Sequence, residues 1–340
     1  MEFGPAPLDR AEGAILAHSR MLNGRKLSKG HVLTAGDIAA LAADGVTRLT
    51  VARLAPTDVG EDAAAQRLAA ALVPDADAAA LEVTAPFTGR VNFKAIGPGV
   101  VDLDAEAILR LNRIDPAITF ATLPPLTRVA RGMLVGTVKI IAYGVDGARL
   151  AQAEAAARAA IRIRPVVRKT AGLILTEVPG QAEKLNAKAE AVTAKRLAAL
   201  GMQLAGVVKV PHEPEALARA LMDLPGEVAL ILTGSATSDL HDVGPEGVRQ
   251  AGGSVTRFGI PVDPGNLLFL GQLGDRPVIG LPGCARSPAL NGADWVLERI
   301  ACGIEVTGDD LASLGVGGLL KEIPIRPQPR EGRASEMPGD

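Results

Sequence analysis

The sequence predicts an α/β protein in which helices cover a parallel sheet, with a separate α+β region before it. Three observations support this prediction. From residue 171 onward, apolar segments typical of buried strands alternate with longer segments of helical periodicity. Residues 228–232 (VALIL) are apolar throughout, as expected for a strand buried on both faces. Before residue 171, glycine and proline separate shorter segments, and strands and helices do not follow one another in a regular order.

Length and composition narrow the class of protein. A chain of 340 residues exceeds a single ordinary core and predicts two or three domains. Its 36 basic and 38 acidic residues leave a net charge of −2, which does not favour a nucleic-acid partner. No apolar run approaches the roughly 18 residues of a membrane span, and no secretory pattern is present. We therefore expect a cytoplasmic protein without a membrane partner.

Residues 1–165 make up the predicted α+β region. Helical patterns span residues 34–43 and 61–72, and Thr34 is a suitable N-cap for the first of them, with Asp37 in its first turn. Strand-like alternation separates these two helices, and a second group of strands follows around a further helix. The alanine-rich residues 146–163 predict a connecting helix that leads into the next domain.

The second domain is predicted over residues 166–305. Its strands are expected at 171–178, 204–211 and 228–232, with helices at 183–201 and 213–224 between them. Helical connections between parallel strands are right-handed and place the helices on the faces of the sheet. The continuous apolar strands indicate that both faces are covered. Ligands of such open sheets bind beyond the carboxyl ends of the strands.

A loop of small residues follows the strand at 228–232. It offers backbone N–H groups and hydroxyls with few side chains to obstruct an anion, and phosphate is the natural ligand of such a loop. An ordinary strand-to-helix turn is the alternative, since glycine, serine and aspartate are common in turns. The residues that form this candidate anion site are Gly234, Ser235, Ala236, Thr237 and Ser238.

Two carboxylates follow in the same loop. Asp239 and Asp242 are candidates for holding Mg²⁺ beside a bound phosphate, because Mg²⁺ commonly bridges carboxylates and phosphate oxygens. Either residue is equally suited to capping the next helix, which Pro245 places nearby. Both interpretations stay open at this point.

A second small-residue loop is predicted after a short strand at Val278–Gly280. We expect a helix to begin near Ser287–Pro288. Arg286 and Ser287 offer a positive charge and a hydroxyl to an anionic ligand, and Gly283 belongs to the same turn. Cys284 has no paired base in the sequence and is interpreted as a small buried thiol.

These two loops resemble motifs of a known family. LTGSATSDLHD, residues 232–242, resembles the SGGxSxGxxD loop of the molybdopterin-binding fold, and GLPGCARSP, residues 280–288, resembles that family's GLPGNPxS turn. Residues 29–54 are similar to the segment that precedes this fold in molybdotransferases of the MoeA type. The resemblance implies a three-layer molybdopterin-binding domain, and Thr176 and Asn186 fall at family positions that contact the pterin or orient the loop.

The resemblance also implies a function. It is closest to the pterin-binding half of bacterial two-part proteins, in which a nucleotidyltransferase follows. GVGGLLKEIPIRPQPRE, residues 315–331, resembles the linker between the two parts. Residues 306–340 are therefore expected to form a linker or tail that is partly disordered. The position of the family's double glycine is occupied by Gly234–Ser235 here. At the position of the family's Lys-Pro-Gly-Lys turn this sequence has Asp263-Pro264-Gly265-Asn266, so both lysines are missing. No nucleotide-binding loop is present, so we expect no nucleotidyl transfer by this chain.

Three functions remain open. The first is molybdopterin binding in molybdenum cofactor biosynthesis, either in Mg²⁺-dependent molybdate insertion, with Asp242 and Asp239 as catalytic metal ligands, or in handing the pterin to a separate nucleotidyltransferase. The second is a Mg²⁺-dependent nucleotide or pyrophosphate hydrolase of the same fold. The third is a non-catalytic scaffold. The resemblance further implies a homo-oligomer.

Overall fold

The computed structural model describes residues 1–180 and 183–320. The chain folds into two compact units, Met1–Arg164 and Pro165–Asp340. Of the tail predicted over residues 306–340, the part from 321 onward lies outside the described residues. None of the helices in the described ranges has the length and apolarity needed to cross a membrane.

The first unit begins with a small group of strands and one helix around its own core. Thr34 caps that helix: its hydroxyl accepts a hydrogen bond from the Asp37 N–H at 3.2 Å, and Asp37 accepts one from the Thr34 N–H at 3.0 Å. This reciprocal capping box fixes the helix start that the sequence predicts. The elements are β1 (Glu2–Pro7), β2 (Ile15–Leu16), β3 (Arg20–Leu22), β4 (Arg25–Leu27), α1 (Ala35–Ala43) and β5 (Arg48–Arg53).

The rest of the first unit packs helices on short antiparallel sheets around a second core. The helix predicted over 146–163 is too long. It ends at Ala156, because Ile161 and Ile163 alternate with exposed arginines and enter a strand instead. The elements are β6 (Asp58–Gly60), α2 (Glu61–Leu72), β7 (Leu81–Val83), β8 (Arg90–Ala95), β9 (Gly99–Leu103), α3 (Ala105–Ile114), β10 (Ile118–Thr122), β11 (Arg128–Val129), β12 (Leu134–Ile140), β13 (Gly144–Asp146), α4 (Gly147–Ala156) and β14 (Ile161–Pro165).

The second unit is an α/β domain, as the sequence predicts. Strands and helices alternate along the chain up to Gln250, and three strands and then two further α-helices follow in the described residues. The elements are β15 (Thr170–Glu177), α5 (Glu183–Ala198), β16 (Gln203–Pro211), α6 (Pro214–Asp223), β17 (Val228–Leu232), α7 (Val243–Gln250), β18 (Ser254–Phe258), β19 (Phe269–Leu273), β20 (Arg276–Leu281), α8 (Gly292–Ala301) and α9 (Gly308–Ser313).

Within the described residues the sheet of this unit has six strands in the order β16-β15-β17-β20-β19-β18. The pairs β16–β15, β15–β17 and β17–β20 are parallel, whereas β19 is antiparallel to both of its neighbours. Only Gly274 and Asp275 separate β19 from β20, and Gly274 has φ of 57°. So short a connection permits only a hairpin, which explains the one reversed strand.

Helices cover both faces of this sheet. Ile174 and Ile231 pack with Leu217 of α6 and Val248 of α7 in one core. The alternate residues along the same strands, such as Leu173, point to the opposite face and are equally buried. Helix α5 contacts β15, and α8 contacts β20. The unit is therefore a three-layer sandwich, and its strands are apolar on both faces for that reason.

One aromatic ring sets how closely α7 and β20 approach each other. Phe269 on β19 is 1% exposed, and its ring lies directly against two glycines. A Cβ on Gly280 would lie 1.9 Å from Phe269 Cε1, and one on Gly244 would lie 2.7 Å from the same atom. Both glycines are therefore required by packing, and they position the ends of β20 and α7 that border the candidate site.

A single methyl group tests this packing. Gly280→Ala forces the Phe269 ring to move in a filled core, and we expect it to lower the free energy of unfolding by about 1–3 kcal/mol, as overpacked cores do. Gly308→Ala is the control, because its Cβ would meet nothing within 4 Å. Urea unfolding measures both, and equal midpoints for Gly280→Ala and the wild type would contradict the packing described here.

Candidate functional site

The structure brings the two predicted loops together at one edge of the sheet. Strands β17 and β20 are parallel neighbours, and their final residues, Leu232 and Leu281, are paired. Arg286 Nη2 then donates a hydrogen bond of 2.8 Å to the carbonyl oxygen of Thr233. The loop at 233–242 and the loop at 282–287 are thus adjacent at the carboxyl ends of two strands, where ligands of such sheets bind.

The first loop presents unengaged backbone donors. The Gly234 N–H donates to Thr176 Oγ1 at 2.8 Å. In the described part of the chain, the N–H groups of Ser235, Ala236 and Thr237 make no hydrogen bond to a protein acceptor. Ser235 and Ala236 are exposed. Three successive N–H groups without a protein acceptor at a strand end are donors suited to an anion.

Asp242 is the N-cap of helix α7. Its Oδ1 accepts from the Val243 N–H at 2.7 Å, and its Oδ2 accepts from the Ser238 N–H at 2.9 Å and the Ser238 hydroxyl at 3.3 Å. Burial opposes the charged form, but these hydrogen bonds outweigh it and hold the pKa of Asp242 below its usual value. The carboxylate therefore closes the loop onto the helix.

Asp239 has a local role in the same loop. Its Oδ1 accepts from the His241 N–H at 2.8 Å, which shapes the turn before α7. Across residues 1–180 and 183–320, no three histidine, cysteine, aspartate or glutamate residues are grouped to hold a metal ion. The metal and catalytic roles of Asp239 and Asp242 stay predictions.

Two predicted residues lie behind the first loop at the end of β15. Thr176 is fully buried, and Asn186, in the first turn of α5, is 2% exposed. Asn186 Nδ2 donates to Glu177 Oε1 at 2.7 Å. Both side chains therefore bond to neighbouring segments of the protein: Thr176 positions the start of the loop through the Gly234 N–H, and Asn186 joins α5 to the end of β15.

The second loop is organised differently from the prediction. Gly283 begins a short 3₁₀-helix that ends at Arg286, and α8 begins only at Gly292, so a helix start near Ser287–Pro288 is wrong. Asn291 and Asp294 explain the later start: the Asn291 side chain accepts from the Ala293 N–H at 2.9 Å, and Asp294 accepts from the Asn291 N–H at 2.8 Å. This capping box starts α8 at Gly292, and Arg196 donates to the Ser287 and Ala289 carbonyls in the segment before it.

Arg286 and Ser287, predicted as ligand contacts, already bond to the protein. Arg286 is half-buried; burial lowers the pKa of its guanidinium, and its Nε is buried without a partner among the described residues. Ser287 Oγ accepts from the Ala289 N–H at 3.3 Å. Arg286 therefore joins the two loops.

Arg196 holds the second loop in place, and no sequence pattern indicated this role. From the last turn of α5 its guanidinium donates to Asp294 Oδ1 at 2.7 Å, to the Ala285 carbonyl at 2.6 Å and to the Ser287 carbonyl at 2.7 Å. An arginine inside a helical pattern is ordinarily a solvated surface residue. Only the tertiary structure shows that Arg196 supplies hydrogen-bond donors to backbone carbonyls of the loop.

His212 is a second residue that sequence reasoning missed. It directly follows β16, and its Nδ1 lies 2.7 Å from Thr176 Oγ1. A signal did exist, because His212 follows the carboxyl end of a parallel strand, as both predicted loops do. The site therefore draws on three strand ends in addition to β15.

Comparisons with known proteins add the following. A family model described as a domain of unknown function (DUF8806) matches residues 5–53. No curated protein matches the sequence. Two solved structures are similar at a low level. The molybdopterin biosynthesis MoeA protein of Pyrococcus horikoshii has 14% identity and a TM-score of 0.29, covering 90% of this chain and 76% of that one.

The second structure is the molybdopterin biosynthesis enzyme MoaB of Thermus thermophilus. It has 17% identity and a TM-score of 0.24, covering 45% of this chain and 99% of that one. TM-scores of this size do not establish a common fold by themselves. The function proposed below therefore rests on the residues of this chain.

Capping by Asp242 has a pH-dependent consequence. Asp242→Ala should lower the free energy of unfolding at pH 7 by about 1 kcal/mol, whereas Asp242→Asn keeps a good cap. Because the pKa of Asp242 is lowered on folding, the charged form stabilises the fold above the unfolded value near 3.9 and loses this effect as pH falls through the folded value. Urea unfolding from pH 7 to 3 should show a smaller loss in Asp242→Asn than in the wild type, because other carboxylates with lowered pKa values, such as Asp37 and Asp310, contribute to the loss in both.

The bond from Arg286 predicts coupling between the loops. Arg286→Ala should lower the free energy of unfolding by about 1–3 kcal/mol, the usual effect of losing a hydrogen bond to a charged donor. It should also speed hydrogen exchange at the Gly234 and Ser238 amides, the bonded N–H groups of this loop, because the Thr233 carbonyl is released. Unchanged exchange there, measured by mass spectrometry, would show that the loops hold their positions independently. Arg219→Ala on the exposed face of α6 is the matched control.

Proposed function

We propose that this chain binds molybdopterin and holds the terminal phosphate of the pterin at the N–H groups of Ser235, Ala236 and Thr237. The observation that supports this most directly is the row of three unengaged donors in a loop whose sequence resembles the phosphate-binding motif of the molybdopterin-binding fold. The adjacent loop at 282–287 carries the family's second motif. The ligand class is therefore a phosphorylated pterin.

The loop is held before any ligand arrives. Thr176 fixes its start through the Gly234 N–H, Asp242 fixes its end through Ser238, and Arg286 holds the residue before it. A donor set that is already ordered avoids much of the entropy cost of binding. Hydrogen bonds to a charged acceptor contribute about 1.5–3 kcal/mol each, so three of them give a substantial part of the affinity.

Binding, rather than chemistry, is what this arrangement supports best. Both oxygens of Asp242 accept hydrogen bonds from the protein, and the carboxylate is engaged in capping α7. Neither Mg²⁺-dependent molybdate insertion nor phosphohydrolysis has a specific observation in its favour. The proposed role is to present the pterin to a separate enzyme, such as a nucleotidyltransferase, as a homo-oligomer.

A charge placed in the loop tests the proposal. Ala236 is exposed, so Ala236→Asp adds a carboxylate at the donor row without disturbing packing and should exclude a phosphate. The protein is purified from cells that make the molybdenum cofactor, then denatured and oxidised, and the fluorescence of the oxidised pterin is measured. We expect pterin with the wild type and none with Ala236→Asp.

The control carries the same change of charge elsewhere in the unit. Ala199→Asp lies at an exposed position just after α5 and should retain pterin like the wild type. If the wild type retains no pterin while a known pterin-binding protein does so in parallel, the proposed function is wrong. Equal retention by wild type and Ala236→Asp would place the ligand elsewhere.

A further inference from the structure

His212 is joined to the donor loop through one buried hydroxyl. Thr176 Oγ1, on a fully buried residue, accepts from the Gly234 N–H at 2.8 Å and lies 2.7 Å from His212 Nδ1. The His212 backbone N–H donates to the Glu177 carbonyl at 3.0 Å, so the ring is fixed at its base as well. His212, Thr176 and Gly234 thus form a continuous chain of hydrogen bonds that ends at the loop.

This chain selects one form of the imidazole. The hydroxyl hydrogen of Thr176 needs an acceptor because Thr176 is buried, and in the described part of the chain His212 Nδ1 is the acceptor within reach. An Nδ1 that accepts carries no proton, so the neutral ring holds its proton on Nε2. Thr176 then accepts a hydrogen bond from the Gly234 N–H and donates one to His212 Nδ1, so the Gly234 and Thr176 hydrogens both have acceptors.

The other end of the ring is available. His212 is partly exposed, and its Nε2 has no hydrogen-bond partner within residues 1–180 and 183–320. Residues 233–242 contain no lysine or arginine, and Arg286 is bonded to the Thr233 carbonyl. His212 therefore presents a free ring N–H donor. His241 and Arg286 also have donors left, but His212 is the one of the three that is hydrogen-bonded to Thr176, which holds the start of the loop.

We propose that His212 binds the same oxyanion as the N–H groups of Ser235, Ala236 and Thr237, through a hydrogen bond from Nε2–H. This inference rests on the proposed function and adds a side-chain ligand to it. A tetrahedral oxyanion suits the pair of donors, because its oxygens point in several directions and accept from the backbone row and from an imidazole at once. A planar carboxylate has only two oxygens to offer, so a phosphate ester is the ligand class favoured.

Two amide substitutions separate this role from a structural one. The amide of asparagine reaches about as far as Nδ1 of histidine and can keep the bond to Thr176, whereas that of glutamine reaches about as far as Nε2 and keeps the outward donor. The full-length wild type, His212→Asn, His212→Gln and His212→Ala are titrated with inorganic phosphate. The amide shifts of Ser235, Ala236 and Thr237 in nitrogen-15 spectra report binding.

We expect His212→Asn and His212→Ala to weaken phosphate binding about tenfold, the effect of one hydrogen bond to a charged acceptor, and His212→Gln to stay within about threefold of the wild type. The shift of the Gly234 amide shows in each variant whether the bond to Thr176 survives. Loss of binding in His212→Asn with an unchanged Gly234 shift identifies a ligand contact.

The opposite results are distinct. If the wild type binds phosphate and all three variants bind it equally, this inference is overturned and the proposed function stands. Rescue by His212→Asn but not by His212→Gln would overturn it as well, because His212 would then act only by holding Thr176. If the wild type shows no shift at Ser235, Ala236 and Thr237, the proposed function fails and the inference fails with it.

Discussion

The hydrogen bond from the Gly234 N–H to Thr176 Oγ1 is the contact on which the candidate site depends. It lies at the end of two paired strands, β15 and β17, and turns the chain away from the sheet immediately after the last buried residue. Because Thr176 is fully buried, the bond is shielded from water and specific in geometry. The free N–H groups of the exposed residues Ser235 and Ala236 follow directly after this bond.

Each loop of the site is held by groups from other elements. Asp242 closes the first loop onto α7, Arg196 of α5 holds the second loop, and Arg286 of the second loop holds the first. Each makes hydrogen bonds to backbone atoms, and Arg196 also pairs with the Asp294 carboxylate. Small residues allow close approach of a ligand but do not hold their own conformation. Long polar side chains supply the rigidity that the loops lack, which leaves the donor row both open and ordered.

The sequence and the structure agree best where a local signal is strong. The helix over Glu61–Leu72, the cap at Thr34 and the apolar strand at Val228–Leu232 follow from patterns within a few residues. The helix start near Ser287 was wrong, because the box formed by Asn291 and Asp294 caps the helix instead. Two local cap signals were present in that segment, and Arg196, a partner distant in sequence, binds the Ser287 and Ala289 carbonyls.

By itself the sequence determined the alternation of strands and helices, the α/β class and the two small-residue loops at strand ends, because these depend on periodicity and residue size. The tertiary structure decided that Asp242 is a helix cap, that Arg196 holds a loop whose bonded groups lie 89 to 98 residues away along the chain, and that His212 bonds to Thr176. The contacts of Arg196 and His212 join residues far apart in sequence. Their partners are fixed only when the strands are placed side by side, so no local pattern could have specified them.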